Sequence, residues 1–70
     1  MKLTANNIRF VKELVDETNN TSKWFVSLKG NDYRDYPATE KLPKTVQDFI
    51  SSKEKEVFQV FTTHTFYIYR

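Results

Sequence analysis

Side chains able to carry out chemistry are few in this chain, and His64 is the first to consider. It is the single histidine, and histidine is the side chain that ordinarily titrates near neutral pH. Its neighbours Thr63 and Thr65 are weak nucleophiles without an activating base, and a catalytic histidine needs a positioned carboxylate or nucleophile. We therefore interpret His64 as a solvated turn residue and predict no catalytic residue.

The chain lacks the groups from which metal and nucleotide sites are built. It has no cysteine and one glycine, which excludes disulfides, thiolate metal sites and glycine-rich phosphate loops. Asp32, Asp35 and Glu40 place carboxylates in one segment. A calcium loop needs more oxygen ligands in tighter alternation, so we interpret these carboxylates as solvated. The sequence predicts a protein that is not an enzyme and that holds no metal and no cofactor.

The residue types best suited to recognition lie in the segment 31–37, NDYRDYP. Tyrosine and arginine are enriched among the residues that dominate binding energy in protein interfaces. Tyrosine supplies rigid contact area, and the planar guanidinium of arginine fits carboxylates and phosphates. The alternative is that these tyrosines pack onto the core while the arginine pairs with a neighbouring aspartate. The predicted partner-binding site consists of Tyr33, Arg34 and Tyr36, joined by Trp24 and Tyr69 where their rings are exposed.

The run 56–70 carries five of the eleven aromatic side chains and has a strong β-strand composition. It forms either one long strand or a hairpin that turns at Thr63–His64, and the sequence leaves both open. The hairpin would pair Phe61 with Phe66. Both of its faces are apolar, as expected for strands that are covered on both sides or exposed for a partner.

These terminal aromatic side chains admit two roles. One is a stacking platform for nucleic-acid bases on an open sheet face, with cations beside it. Those cations would be Lys23, Lys29, Lys55 and Arg70. The aromatic motif of RNA-recognition sheets, with its basic residue and glycine, is missing from the sequence. We therefore favour the second role, in which Phe58, Val60, Phe61 and Ile68 are packing residues.

Residues 8–17 fit an amphipathic helix, because their apolar members fall on one side of a helical projection and the charged members on the other. A hairpin across Asn19–Asn20 is the rival, with Val11 facing Leu28. In that register Glu13 lies on the apolar face, which costs free energy if the carboxylate is buried. For that reason we favour the helix.

A second helix is predicted at residues 44–53. Its apolar stripe consists of Val46, Phe49 and Ile50, at the spacing of one helix face. Thr45, followed three residues later by Asp48, resembles a capping pair at the start of a helix. The pattern indicates a short helix that packs one side against a core.

The remaining elements complete the predicted architecture. Residues 22–29 alternate like a strand, and residues 30–43 form a long connection that contains both prolines. The sequence thus predicts a single α+β domain over residues 1–70, with the order α-β-loop-α-β-β and a small antiparallel sheet. The order becomes ββαββ if residues 8–17 are a strand.

The charge of the chain is small and evenly spread. Eleven basic and nine acidic side chains give a net charge of +2, without a basic block. Strong non-specific nucleic-acid binding usually needs several clustered cations. No apolar run approaches the roughly 18 residues of a membrane span, and the N-terminus lacks the hydrophobic stretch of a signal peptide. We expect no membrane partner and a location in the cytoplasm, or in that of a host cell.

These features predict a small binding protein rather than a catalyst. We expect it to modulate or inhibit a larger protein, as accessory proteins of phages and mobile elements do. The alternative is a nucleic-acid-binding module that uses a sheet-borne aromatic face and flanking lysine and arginine side chains. Self-association through exposed C-terminal strand edges is a third expectation.

Overall fold

A computed structural model describes residues 2–70, apart from the side chain of Gln59, as a five-stranded antiparallel sheet with one α-helix. The elements in chain order are β1 (Ile8–Asp16), β2 (Thr21–Leu28), β3 (Tyr33–Tyr36), α1 (Lys44–Ser51), β4 (Lys55–Val60) and β5 (His64–Tyr69). The strands lie side by side in the order β3-β2-β1-β5-β4. The sheet therefore has β1 at its centre and β3 and β4 at its two edges.

The architecture agrees with the predicted α+β class, but the predicted order of elements is wrong. Residues 8–17 do not form a helix, since β1 occupies residues Ile8–Asp16 and pairs with β2 on one side and β5 on the other. The rival hairpin forms instead, in a register two residues away from the predicted one, because Val11 faces Val26 and not Leu28. The order is β-β-β-α-β-β.

The carboxylate of Glu13, which argued against a strand, has a partner. The hydroxyl of Tyr69 donates a hydrogen bond to Glu13 Oε1 at 3.0 Å across the β1–β5 pair. A partly buried polar group that is hydrogen-bonded loses little free energy, whereas an unpaired one is costly. The strand is therefore tolerated because of a residue 56 positions further along the chain.

A further strand, β3, lies inside the connection predicted at 30–43. The chain reverses between β2 and β3 through Gly30 and Asn31, whose φ angles of 77° and 63° lie in the left-handed region. Glycine adopts this region without steric cost, and asparagine is among the residues that tolerate it best. The N–H of Leu28 then donates to the carbonyl of Asp32 at 2.8 Å, which closes the turn.

Helix α1 confirms the prediction at 44–53, although it ends at Ser51. The predicted capping role of Thr45 is wrong, because the residue before the helix is Pro43 and no side chain caps the first turn. Asp48 instead lies 3.6 Å from the ammonium of Lys44, one turn earlier. Proline is well suited to this position, since its backbone has no N–H to satisfy.

The core lies between α1 and one face of the sheet. Its buried side chains are Ile8, Val11, Val26, Leu28 and Val46. Partly buried side chains packed against them are Leu3, Trp24, Tyr36, Leu42, Phe49, Ile50 and Tyr69. Full burial of such an aliphatic side chain stabilises a fold by about 1.5–3 kcal/mol, so this cluster is the main source of stability.

The other side of the sheet, called the open face from here on, carries no helix of the described residues. Strand alternation places on it Phe10, Lys12, Leu14, Phe25, Phe66 and Ile68. Ile68 is only 6% exposed although it lies outside the helix-side cluster, so neighbours on the open face bury it. Polar side chains such as Lys23 and Ser27 share this face. Because antiparallel sheets usually present polar residues to water, this sheet is unusual in carrying apolar side chains at the centre of both faces.

The run 56–70 forms a hairpin rather than one long strand. The N–H of Phe61 donates to the carbonyl of His64 at 2.6 Å, and the turn contains two threonines. The predicted pairing of Phe61 with Phe66 is wrong, because the turn lies one residue earlier than predicted, at Thr62–Thr63, and Phe66 therefore faces Gln59. A β-bulge between Val57 and Gln59 shifts the register again further from the turn. The two rings still touch edge to face, with centroids 6.1 Å apart.

The packing role predicted for Phe58, Val60, Phe61 and Ile68 holds for one of the four. Ile68 is buried, whereas the other three side chains are more than half exposed. They lie on or directly after β4, which is an edge strand with a neighbour on one side only.

Candidate protein-binding site

A groove lies where β3 leaves the sheet. Trp24 of β2 lies opposite Tyr36 of β3 in the strand pair. The groove has a volume of about 250 Å³ and is lined by Lys23, Trp24, Phe25, Asp35, Tyr36 and Pro37. The groove therefore crosses the edge of the sheet, with Trp24 and Tyr36 from one face and Lys23, Phe25 and Asp35 from the other.

The indole of Trp24 packs against the ring of Tyr69. Its ring lies 5.8 Å from that of Tyr69, with an angle of 33° between the planes. Tyr69 is fixed in turn by its hydrogen bond to Glu13. Burial raises the pKa of the Tyr69 hydroxyl well above its ordinary value, and the charge of Glu13 raises it further. The hydroxyl thus stays protonated and donates, so that one wall of the groove is pre-organised.

The remaining predicted site residues, Tyr33 and Arg34, lie on the same edge strand. Tyr33 is 63% exposed and faces Ser27 in the strand pair. Nη1 of Arg34 contacts Asp32 Oδ1 at 3.0 Å and donates to the carbonyl of Tyr33 at 3.2 Å. The pairing of the arginine with a neighbouring aspartate, which the sequence offered as the alternative, is therefore present.

The structure brings three of the five predicted site residues into contact or register, namely Trp24, Tyr36 and Tyr69. Alternation puts Arg34 on the same side of β3 as Tyr36, and Tyr33 on the opposite side. Four lining residues of the groove were not predicted: Lys23, Phe25, Asp35 and Pro37. These four residues could have been predicted if the segment 31–37 had been recognised as a strand that pairs with β2.

Comparisons with known proteins add no assignment. Searches against protein-family models, curated proteins and solved structures found no match. Among residues 2–70 no group of three or more histidine, aspartate or glutamate side chains is placed to hold a metal ion. In the same part of the chain, no helix is long and apolar enough to cross a membrane. The function has to be inferred from the geometry of the molecule itself.

A stacking platform is the less favoured role for the terminal aromatic side chains. On the open face, the rings of Phe25 and Phe66 already have a cation next to them. The ammonium of Lys12 lies 5.5 Å from the ring centroid of Phe25 and 5.4 Å from that of Phe66. On the helix side of the sheet, the ammonium of Lys55 lies 4.2 Å from the ring of Tyr67. Such contacts are attractive because a cation meets the negative face of the ring. A base would have to displace these lysines before it could stack.

The single histidine acquires a carboxylate partner that its sequence neighbours do not supply. Nε2 of His64 lies 3.6 Å from Asp16 Oδ2, and its Nδ1 lies 2.8 Å from the hydroxyl of Thr63. A hydrogen bond from the Asn19 side chain, joined by backbone N–H groups, holds the pKa of Asp16 below its ordinary value.

The order hydroxyl, histidine, carboxylate is that of a nucleophilic relay, but this cluster stands at a hairpin tip with Thr63 exposed. The same tip connects two hairpins, because the N–H of Glu17 donates to the carbonyl of Thr63 at 2.9 Å. The hydroxyl of Thr65 also reaches Glu17 Oε1, at 3.3 Å. We assign the cluster to holding the tips of the β1–β2 and β4–β5 hairpins together.

Proposed function

We propose that this protein binds a larger protein through the groove between β2 and β3, and that it modulates or inhibits that protein by occupying part of its surface. The observation that carries the proposal is the meeting of Trp24, Tyr36 and Pro37 in one concavity. Tryptophan and tyrosine dominate the binding energy of many interfaces, because they bury much area while losing little conformational freedom.

The size of the groove favours a protein segment as its ligand. Pockets for small molecules and cofactors usually measure about 300–1,000 Å³ and enclose most of the ligand. The groove has about 250 Å³ and lies open at the sheet edge. That volume suits one or two inserted side chains of a partner. Lys23 and Asp35 at its margin supply opposite charges that would fix the orientation of the inserted segment.

A protein partner is favoured over a nucleic acid by the placement of charge. The cations that a phosphate backbone would need are spread over the chain, and the net charge is only +2. Lys12 lies over the rings of Phe25 and Phe66 and covers the open face on which bases would stack, and Lys55 covers the ring of Tyr67 on the helix side. At the groove itself, Asp35 would repel a phosphate and so offset the attraction of Lys23.

Affinity capture with a matched pair of charge reversals tests the proposal. Asp35→Lys changes the margin of the groove, and Glu54→Lys makes the same charge change at an exposed residue between α1 and β4. Both variants should fold like the parent protein, as judged by circular dichroism. Tagged protein is incubated with lysate of the cells that naturally produce it, with and without nuclease.

We expect the parent protein and Glu54→Lys to capture the same protein, and Asp35→Lys to lose it by at least tenfold. A photo-crosslinking residue at Tyr33, which is 63% exposed, should label the captured protein, whereas the same residue at Phe58 should not. Equal capture by both charge variants would refute the groove as the site. Loss of the captured material after nuclease treatment would point to nucleic acid instead.

A further inference from the structure

The outer edge of the sheet at β4 concentrates exposed apolar surface. Of the five large apolar side chains that are exposed among residues 2–70, four lie within residues 57–61: Val57 at 60%, Phe58 at 64%, Val60 at 64% and Phe61 at 51%. Because β4 has a neighbour on one side only, its backbone N–H and C=O groups on the other side lack strand partners. We call this surface, formed by residues 57–61, the outer edge.

Charges that could guard the outer edge are turned away from it. Lys55 lies over the ring of Tyr67 at 4.2 Å, and Glu56 Oε2 lies 3.2 Å from Arg70 Nε. Natural edge strands are commonly protected by charged side chains, proline or a β-bulge, and of these residues 57–61 contain only the bulge. The β-bulge between Val57 and Gln59 bends the strand, so a pairing partner would form a short ladder supported by side-chain contacts.

We propose that the outer edge pairs antiparallel with the outer edge of a second copy of this chain, giving a two-fold dimer with one continuous sheet. A two-fold contact requires a surface that complements itself. Residues 57–61 carry no charge, so two copies meet without like-charge contacts. In an antiparallel arrangement the end that carries Lys55 and Glu56 lies beside the uncharged threonine turn of the other copy.

The exposed area predicts a weak dimer. With about 150–250 Å² per aromatic side chain, the exposed parts of the four side chains come to roughly 400 Å² per copy. Stable complexes usually bury about 1,200 Å² or more in total, so we expect a dissociation constant of about micromolar or weaker. The groove lies at β3, on the opposite edge of the sheet, and stays open in the dimer. The inference is therefore independent of the proposed function.

Sedimentation equilibrium of the purified protein, from about 5 µM to 1 mM, tests the pairing. The parent protein should change from monomer to dimer with rising concentration. Val57→Lys with Val60→Lys, and separately Val57→Glu with Val60→Glu, should each stay monomeric at all concentrations. These side chains are exposed, so both variants are expected to keep the parent circular dichroism spectrum and unfolding midpoint.

An equal mixture of the lysine and glutamate variants should regain the dimer, since opposite charges then face each other across the dyad. Tyr33→Lys, at a similarly exposed position on the other edge strand, should dimerise like the parent. A parent protein that stays monomeric, charge variants that still dimerise, or a mixture that stays monomeric would each overturn the pairing. These results involve no partner protein, so they leave the groove proposal to its own test.

Discussion

Replacing Tyr69 with phenylalanine removes one hydroxyl and tests how the sheet accommodates a carboxylate on its apolar side. The hydroxyl lies 3.0 Å from Glu13 Oε1, and both residues are partly buried. A hydrogen bond to a charged group contributes about 1.5–3 kcal/mol, and its loss leaves the carboxylate unpaired. Because water still reaches the site, we take the lower limit, about 1.5 kcal/mol. For a domain of this size that corresponds to a fall in Tm of about 6–12 °C.

Urea unfolding followed by circular dichroism measures this loss, and the neighbouring strand position supplies the control. Tyr67 lies on the same strand, but none of the described residues hydrogen-bonds to its hydroxyl. Tyr67→Phe should change the free energy of unfolding by less than about 0.5 kcal/mol. Glu13→Met combined with Tyr69→Phe should be less destabilised than the sum of the single variants, because both polar groups are then gone.

The hydroxyl of Tyr69 should also make the free energy of unfolding depend on pH in alkaline solution. Its pKa is raised in the folded protein by burial and by the charge of Glu13. As pH rises above about 10, the unfolded chain releases this proton before the folded one does, so the stability that Tyr69 contributes is present below that pH and declines above it. Tyr69→Phe should flatten the decline. The role of this hydrogen bond would be refuted if Tyr67→Phe lowered the free energy of unfolding as much as Tyr69→Phe does. Strictly additive effects of Glu13→Met and Tyr69→Phe would refute it as well.

Three further substitutions test other parts of the fold. Val46→Ala, in the core, should cost about 2 kcal/mol in urea unfolding, whereas Val57→Ala, on the exposed edge, should cost less than about 0.5 kcal/mol. Gly30→Ala should lower the free energy of unfolding by about 1–2 kcal/mol, because a β-carbon is disfavoured at a φ of 77°. Equal urea-unfolding midpoints for this variant and the parent protein would contradict this. Asp16→Ala should destabilise the protein near neutral pH but not near pH 2, because the lowered pKa of Asp16 gives stability that is lost as the folded carboxylate is protonated.

Local pattern was sufficient for α1 and misleading for β1. The stripe of Val46, Phe49 and Ile50, preceded by proline, has one interpretation, and the helix forms there. In β1 the adjacent apolar residues Phe10 and Val11 point to opposite faces of a sheet that carries apolar side chains at the centre of both faces. Such adjacent pairs imitate the stripe of an amphipathic helix. Residues 8–16 form a strand because they pair with β2 and β5. The residues of those strands lie outside segment 8–17, so the local sequence pattern does not reveal the pairing.

The candidate site could be predicted in residue type but not in arrangement. Aromatic and arginine chemistry led to Trp24, Tyr36 and Tyr69, which the fold brings together. Lys23 and Asp35 escaped prediction because they join the groove only after β3 pairs with β2. That pairing depends on left-handed backbone at Gly30 and Asn31, because turn geometry helps to set strand register.

The central position of β1 has a consequence for how the protein is made. Of the described strands, β1 is synthesised first, while β5, which completes its second side, is synthesised last. Until β5 is made, the β1–β2 hairpin has unpaired backbone N–H and C=O groups along one side of β1. β4 also lacks a strand partner until then, because it pairs with β5 alone among the described strands. The fold can close only when residues 64–69 emerge, so a chain released before them is a candidate for chaperones and proteases rather than a partly working protein.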